Sequence, residues 1–268
     1  MDDEKPANLL LGSGADARQI AYLVRRGNAP GIFWLSGFRS EMRSLKPTHI
    51  DRWAALRGQA FTRFDYSGHG LSGGRFEAGT ISRWLEEALA VFEQLTTGPQ
   101  IVVGSSMGAY IALLMARHFL ARSGAGRPGR IAGLVLIAPA WDMTEELMWK
   151  NASPEIRRAI LEDGVWLRPS RYFDGPYPIT RSLVEDGRNH LIGLAPWNPG
   201  CPVEILHGRL DPDVPFAHAA SLAARLIGVP VTLNEVTDGG HRLSRPEDLD
   251  LLSRRIGHLL QLYTPPAL

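Results

Sequence analysis

The chain has 268 residues, of which 44% are hydrophobic, and a formal net charge of +1. This length and apolar content suffice for one domain with a substantial core, with or without an insertion, and they exclude a small disulfide-stapled scaffold. The balanced charge and the scattered arginines give no reason to expect nucleic acid as a partner. The single cysteine, Cys201, excludes an intrachain disulfide and is typical of a reducing compartment.

The sequence contains no apolar run long enough for a membrane span, and its acidic first residues do not resemble a secretion signal. We therefore expect a cytoplasmic protein without a membrane span. The histidines show no metal-ligand spacing and have only Cys201 to join them, so we expect no metal site and no cofactor. The sequence does not specify an oligomeric state.

Strand and helix patterns alternate along the chain. Apolar runs predict two strands within 9–24, followed by strands near 31–36, 60–65, 101–104, 131–138, 203–207 and 231–236. Helices are predicted between most of them; residues 81–95 and 246–262, for example, each have apolar side chains at helical spacing. The alternation predicts an α/β fold with a mostly parallel sheet, helices on both faces, and functional loops at the carboxyl ends of the strands.

A serine between two glycines follows the fifth predicted strand. Gly104-Ser105-Ser106-Met107-Gly108 has the form of a nucleophile elbow, in which a strand turns sharply into a helix and presents the serine hydroxyl at a strained position. The next residues, 109–120, are rich in helix-forming Ala and Leu. The motif therefore predicts Ser106 as a nucleophile, provided that a base and an acid accompany it.

Candidates for the acid and the base follow in the order that such a fold requires. A turn-rich loop carrying Asp211 follows the seventh predicted strand, and a loop ending in His241 follows the eighth. We predict His241 as the base and Asp211 as the carboxylate that orients it. Asp213 and Asp238 remain alternatives for the acid, because a strand register shifted by a few residues would place either one there.

Two other polar side chains near turns have a structural interpretation. His207 is expected to bond to backbone groups at the end of a strand, and His69 to lie in a turn. Asp65 is expected to hold that turn by accepting backbone N–H bonds.

Hydrolysis through Ser106 also requires two N–H donors for the oxyanion that forms during attack. The N–H of Met107, directly after the serine, is predicted to be one of them. The loop after the third strand, Ser36-Gly37-Phe38-Arg39-Ser40, is predicted to supply the other from Phe38.

Residues 141–200 interrupt the alternation, because they contain no obvious core strand. We expect residues 1–140 and 201–268 to form the core and residues 141–200 to form a small, mainly helical, inserted cap. A helix is predicted over 144–163 with a break near Ser153-Pro154, then a turn-rich piece over 166–177 and a helix near 181–194.

Four of the seven tryptophans lie within 141–200. They either join the cap to the core or line an apolar pocket over Ser106. Trp141, Trp149 and Trp166 are the candidates for substrate contacts.

The chain resembles the α/β-hydrolase superfamily along almost its whole length and, within it, the palmitoyl-protein thioesterase and acyl-glucuronide esterase group known from mitochondria. The resemblance is carried by segments of core and cap: Arg63-Phe64-Asp65-Tyr66-Ser67-Gly68, Gly98-Pro99-Gln100, Val103-Gly104-Ser105-Ser106, Gly164-Val165-Trp166, Pro169-Ser170, Cys201-Pro202, Leu206-His207-Gly208 with Asp211, Val214-Pro215 and His241-Arg242. It implies an eight-stranded α/β-hydrolase sheet, a triad of Ser106, Asp211 and His241, and long-chain acyl thioesters or acyl glucuronides as substrates.

We therefore expect a serine-dependent hydrolase that cleaves an ester or thioester, of a small molecule or an acylated protein, through an acyl-enzyme on Ser106. The same triad could serve carbon-carbon bond hydrolysis or perhydrolysis, because fold and triad do not fix the bond that is cleaved. A third hypothesis is a non-catalytic, hydrolase-like binding scaffold. Such proteins usually lack a triad member, whereas candidates for all three are present here.

Overall fold

A computed structural model of the chain describes residues 5–122, 130–170 and 175–263. Its strands are β1 (Ala7–Leu11), β2 (Arg18–Arg25), β3 (Asn28–Leu35), β4 (Gln59–Phe64), β5 (Gln100–Ser105), β6 (Ile131–Ile137), β7 (Val165–Arg168), β8 (Tyr177–Thr180), β9 (Val203–Gly208) and β10 (Val231–Val236). Its α-helices are α1 (Leu45–Ala55), α2 (Ile81–Leu95), α3 (Met107–Arg122), α4 (Pro154–Arg158), α5 (Arg181–Gly187), α6 (Phe216–Arg225) and α7 (Pro246–Tyr263).

The main sheet has eight strands in the order β1-β2-β4-β3-β5-β6-β9-β10. The pairs from β4 to β10 are all parallel, whereas β2 is antiparallel to both β1 and β4. The prediction of a mostly parallel eight-stranded sheet is therefore confirmed. Because parallel strands end at the same edge, the loops that follow β3, β5, β9 and β10 meet there.

Helices cover both faces of the sheet, and the central strands are apolar on both sides, as buried parallel strands are. Neighbouring residues of β5 alternate between the faces: Val102 packs in the core beneath α2, α3 and α6, and Ile101 packs in the core beneath α1 and α7. Helix α2 begins where the Thr80 hydroxyl accepts a hydrogen bond from the Arg83 N–H at 3.2 Å, which caps its first turn.

Residues 141–200, which we call the cap segment, contribute no strand to the main sheet within their described part. They comprise a π-helical turn (Thr144–Trp149), α4, a second π-helical turn (Ala159–Asp163), the antiparallel pair β7–β8, α5 and a 3₁₀ turn (Arg188–His190). The predicted break lies at Ser153, which caps α4 by accepting from the N–H of Ile156.

Two expectations for the cap segment differ from the structure. The stretch predicted as turn-rich begins and ends in β7 and β8, strands of four residues each, too short for an alternating pattern to be evident in the sequence. The helix predicted near 181–194 ends at Gly187 and continues only as the 3₁₀ turn. Among the described residues, no helix is both long and apolar enough to cross a membrane.

Candidate active site

Ser106 lies at the turn between β5 and α3 with a φ of 55°, in the left-handed region. Its N–H donates to the carbonyl oxygen of Ile137 at 2.8 Å, which fixes the turn. A Cβ at Gly104 would lie 2.3 Å from the Gly108 carbonyl oxygen, and one at Gly108 would lie 2.1 Å from that of Leu35. Only glycine fits at either position, so the two glycines permit the sharp strand-to-helix turn that the motif predicts.

His241 lies between Ser106 and Asp211. Its Nε2 is 3.1 Å from the Ser106 Oγ, and its Nδ1 is 2.8 Å from the Asp211 Oδ2. With Nδ1–H donating to the carboxylate, Nε2 is left to accept the serine hydroxyl proton. In this arrangement an imidazole can take the proton of an attacking serine while a carboxylate fixes its tautomer.

Asp211 is held on both of its carboxylate oxygens. While Oδ2 faces His241, Oδ1 accepts from the N–H groups of Asp213 and Val214, each at 2.9 Å. Burial by itself favours the protonated form, but the bonds from His241 and from these backbone groups outweigh it, and the pKa of Asp211 is lowered. Asp211 is therefore a carboxylate at neutral pH, as its predicted role requires.

The other candidate acids have different surroundings. Asp238 is mostly exposed, and its carboxylate pairs with Arg245 at 2.6 and 3.0 Å. Asp213 contributes its backbone N–H to Asp211. The hydrogen bond to the Nδ1 of His241 comes from Asp211, so the geometry favours Asp211 for the role of acid.

The residues expected to be structural lie where they were predicted. The buried His207 donates from Nε2 to the Val214 carbonyl oxygen at 2.9 Å, and burial lowers its pKa. Asp65 accepts from the N–H groups of Met42 and Leu71 at 2.6 and 2.9 Å. It thereby holds the turn that contains His69.

A cluster with potential metal-ligand atoms coincides with this site. Among the described residues, Asp211, Asp213 and His241 have such atoms within 4.8 Å of one another. However, the His241 Nδ1 and both Asp211 oxygens are already engaged in hydrogen bonds with each other or with backbone N–H groups. The donor set fits a hydrogen-bonded proton relay better than a cation site.

The two predicted oxyanion donors are backbone N–H groups at the start of α3 and in the loop after β3. In the described part of the chain, no hydrogen bond uses the N–H of Met107 or of Phe38. A Cβ at Gly37 would lie 3.5 Å from the Ser106 Cβ, so the Phe38 loop runs directly beside the elbow. The Phe38 ring packs edge-on against Phe76 at 4.9 Å, which anchors that loop. The Phe38 loop and the elbow are therefore neighbours, and the oxyanion role of the two N–H groups stays a prediction.

A cavity of about 840 Å³ opens at Ser106 and His241, within the size range of small-molecule sites. Its apolar lining comes from the core and from the cap segment: Trp34, Phe38, Leu45, Ala140, Met143, Leu147, Met148, Trp166, Tyr177 and Val214. Its charged lining includes Arg39, Glu41, Lys46, Arg168, Asp213 and Arg242. An apolar chain with a polar reacting end fits such a cavity.

Of the three tryptophans predicted to contact substrate, the structure places Trp166 in the described cavity lining, and Trp141 and Trp149 outside it. Trp141 is buried, stacks on His218 at 4.6 Å and donates from Nε1 to the His218 carbonyl oxygen. Trp149 packs beneath the guanidinium groups of Arg157 and Arg188. Trp141 thus joins the start of the cap segment to α6 of the core, whereas Trp149 packs within the cap segment. The prediction missed this because composition alone does not tell which face of a segment meets the cavity.

Several lining residues were not predicted from the sequence. Trp34 had a usable signal, since it is the penultimate residue of β3, close to the loop of Phe38. Leu147, Lys46 and Arg168 had none, because tertiary packing alone brings them to the cavity.

The fold is that of the alpha/beta hydrolase family, whose model matches residues 29–250. The chain belongs to that family and is a hydrolase. Its curated relatives include palmitoyl-protein thioesterases, which agrees with ester or thioester hydrolysis in general.

Two mitochondrial proteins are similar over most of their length. Human palmitoyl-protein thioesterase ABHD10 is 30% identical over 246 residues, which cover 91% of this chain and 78% of that protein. The mouse protein of the same name is 31% identical over 256 residues, covering 95% and 83%. The resemblance to this thioesterase group is therefore confirmed.

Two solved structures have the same fold as this chain. A putative hydrolase from Agrobacterium vitis S4 superposes with a TM-score of 0.90 at 43% identity, covering 96% of this chain and 98% of that one. Mouse alpha/beta hydrolase domain-containing protein 10 superposes with a TM-score of 0.83 at 29% identity, covering 96% and 100%. The fold is thus shared over nearly the entire chain.

Proposed function

We propose that this hydrolase cleaves long-chain acyl thioesters and esters through an acyl-enzyme on Ser106. The observation that carries the proposal is the chain of hydrogen bonds from Ser106 through His241 to the buried Asp211, at the edge of a cavity with both apolar and charged lining residues.

The reaction has two halves that use the same groups. In the first, the Ser106 Oγ attacks the acyl carbonyl carbon, its proton passes to the His241 Nε2, and Asp211 stabilises the imidazolium. The N–H groups of Met107 and Phe38 bind the oxyanion; removing one such donor typically costs roughly a hundredfold or more in kcat. His241 then protonates the departing thiolate or alkoxide. In the second half, water deprotonated by His241 attacks the acyl-enzyme and releases the acid and Ser106.

The preference for long acyl chains is supported by the apolar cavity lining and by the named relatives, which are palmitoyl-protein thioesterases. Acyl glucuronides are a second ester class with the same reacting carbonyl.

We propose that residues 141–200 act as an inserted cap on the core of 1–140 and 201–268, because Met143, Met148 and Trp166 of that segment face the same cavity as Ser106. The cytoplasmic location expected from the sequence stays a prediction; the named relatives are mitochondrial.

The test is a series of acyl thioesters and matched oxyesters from acetyl to palmitoyl, with the Ser106→Ala protein as the blank. We expect kcat/KM to rise with chain length and to vanish in the blank, since each buried methylene adds about 0.8 kcal/mol. Activity confined to short chains would leave a serine hydrolase but contradict the long-chain preference. No Ser106-dependent turnover would favour the other reactions or the binding scaffold.

A further inference from the structure

Lys46 lines the cavity, yet the reaction described above does not use it. It is the second residue of α1, and its Nζ donates to the carbonyl oxygen of Arg242 at 2.5 Å. The Ser244 Oγ lies 3.4 Å from the same Nζ and also donates to the Arg242 carbonyl oxygen, at 2.9 Å. Since Arg242 directly follows His241, one side chain of α1 holds the backbone next to the predicted base.

The loop held by Lys46 has a second anchor at its far end. Arg245 bonds to Asp238 and to Asp248 at the start of α7. Between the two anchors, Leu243 is buried at a φ of 40°, in the left-handed region that a leucine seldom adopts. A bend of this kind persists only where its surroundings hold it. The Lys46 bond is the part of that support on the residue directly after His241.

Charges of both signs face Lys46. Burial and the positive charge of Arg242 lower the pKa of Lys46 to about 8, against the opposing effect of Asp248. The same cavity is lined by Glu41 and Asp213 and by Arg39 and Arg168. Lys46 is therefore charged at neutral pH and loses its proton as the pH rises through about 8.

We propose that Lys46 is a positioning residue, whose ammonium group holds the backbone after His241 so that the His241 Nε2 stays within reach of Ser106. The inference rests on the proposed function for its kinetic readout. A charge-assisted hydrogen bond is roughly twice as strong as a neutral one. The loop is thus held most firmly when Lys46 is protonated, and less firmly at higher pH.

The kinetic test compares Lys46→Met, Lys46→Arg and the wild type with Lys5→Met, the same substitution at an exposed lysine outside the cavity lining. The substrate is a short-chain oxyester, measured from about pH 6 to about pH 10, the range in which histidine and lysine titrate. We expect Lys46→Met to lower kcat by roughly ten- to a hundredfold with little change in KM, since a small displacement of a catalytic group has such an effect. The wild-type kcat should fall above pH 8, and Lys46→Arg should move this fall to higher pH, because a guanidinium group stays charged.

A raised KM with unchanged kcat in Lys46→Met would overturn the proposal, because Lys46 would then bind substrate and not the loop. Equal kinetics of Lys46→Met and Lys5→Met would also overturn it. Should Lys46→Met not fold, the pH at which kcat falls in Lys46→Arg decides. A fall at the same pH as in the wild type would overturn the proposal.

A second readout does not require turnover: amide hydrogen exchange of the loop over 238–245. We expect faster exchange there in Lys46→Met than in the wild type, and unchanged exchange would contradict the proposal. If the wild type shows no Ser106-dependent hydrolysis, the proposed function fails and this readout still tests the role of Lys46.

Discussion

At the scale of single residues, the hydrogen bond between Asp211 and His241 affects the protonation of both side chains. In the proposed mechanism the carboxylate keeps the proton of His241 on Nδ1, which leaves Nε2 free to accept the proton of Ser106. The lowered pKa of Asp211 results from the same bond and from the backbone donors opposite it. Three donors thus reach the Asp211 carboxylate: the His241 Nδ1–H on Oδ2, and the N–H groups of Asp213 and Val214 on Oδ1.

Asp211→Asn should therefore lower kcat by about 10⁴-fold, the loss typical of an orienting carboxylate, because an amide favours the wrong histidine tautomer. Asp213→Asn should lose far less, since the Asp213 backbone N–H that holds Asp211 is retained. Steady-state kinetics on both variants, with circular dichroism to confirm folding, checks this. A greater loss in Asp213→Asn would transfer the acid role to Asp213.

The elbow is a property of whole elements, because β3, β5 and α3 must approach closely for it to form. Gly108→Ala should destabilise the protein by about 2 kcal/mol or more, since its Cβ would lie 2.1 Å from a carbonyl oxygen of β3. Gly257→Ala is the matched control: it lies inside α7, where the new Cβ meets only the Trp53 ring at 3.6 Å. Gly257→Ala should raise the free energy of unfolding by roughly 0.5 to 1 kcal/mol, because alanine has a higher helix propensity than glycine. Urea unfolding measures the stability of both variants. Equal effects of the two changes would contradict the conclusion that position 108 requires glycine.

Trp166 belongs to the part of the cavity wall that the cap segment forms, and its removal should affect long acyl chains more than short ones. Trp166→Ala should lower kcat/KM for palmitoyl substrates by about tenfold or more, because a large apolar contact of the acyl chain is lost. Hydrolysis of acetyl esters should change little, so the same variant supplies its control. A uniform loss across chain lengths would mean that Trp166 supports the site structurally and not the acyl chain.

At the scale of the whole molecule, buried histidines make stability depend on pH. His69 lies among Tyr66, Phe76 and Trp84, and its Nδ1–H donates to the Ser67 carbonyl oxygen at 3.1 Å. Burial lowers its pKa from 6.5 to about 4, although this bond opposes the shift. The unfolded chain thus takes up a proton at a pH where the folded chain does not.

The stability contributed by neutral His69 is complete above pH 6.5 and is lost as the pH falls toward about 4. The loss should approach about 3 kcal/mol for a shift of this size. His69→Asn, which keeps an N–H donor but does not titrate, should show a shallower fall of unfolding free energy across this range. Urea titrations at several pH values decide this, and parallel curves for the two proteins would refute it.

The sheet and its helices were predictable because they extend over many residues and repeat a pattern, as in β5 or α2. The elbow was predictable because its turn is encoded within five neighbouring residues. β7 and β8 were not, since four residues are too few for a pattern. Packing between distant segments decides which tryptophan lines the cavity and brings Lys46 to the loop of His241. Neither contact leaves a signal in the local sequence.

The most direct test of the account is covalent labelling of the wild type with a fluorophosphonate, followed by peptide mass spectrometry. We predict one adduct, on the Oγ of Ser106, that is absent from Ser106→Ala and strongly slowed in His241→Gln, since a serine needs the base to become nucleophilic. Labelling on another residue, or none on the folded wild type, would contradict the assignment of Ser106 as the nucleophile.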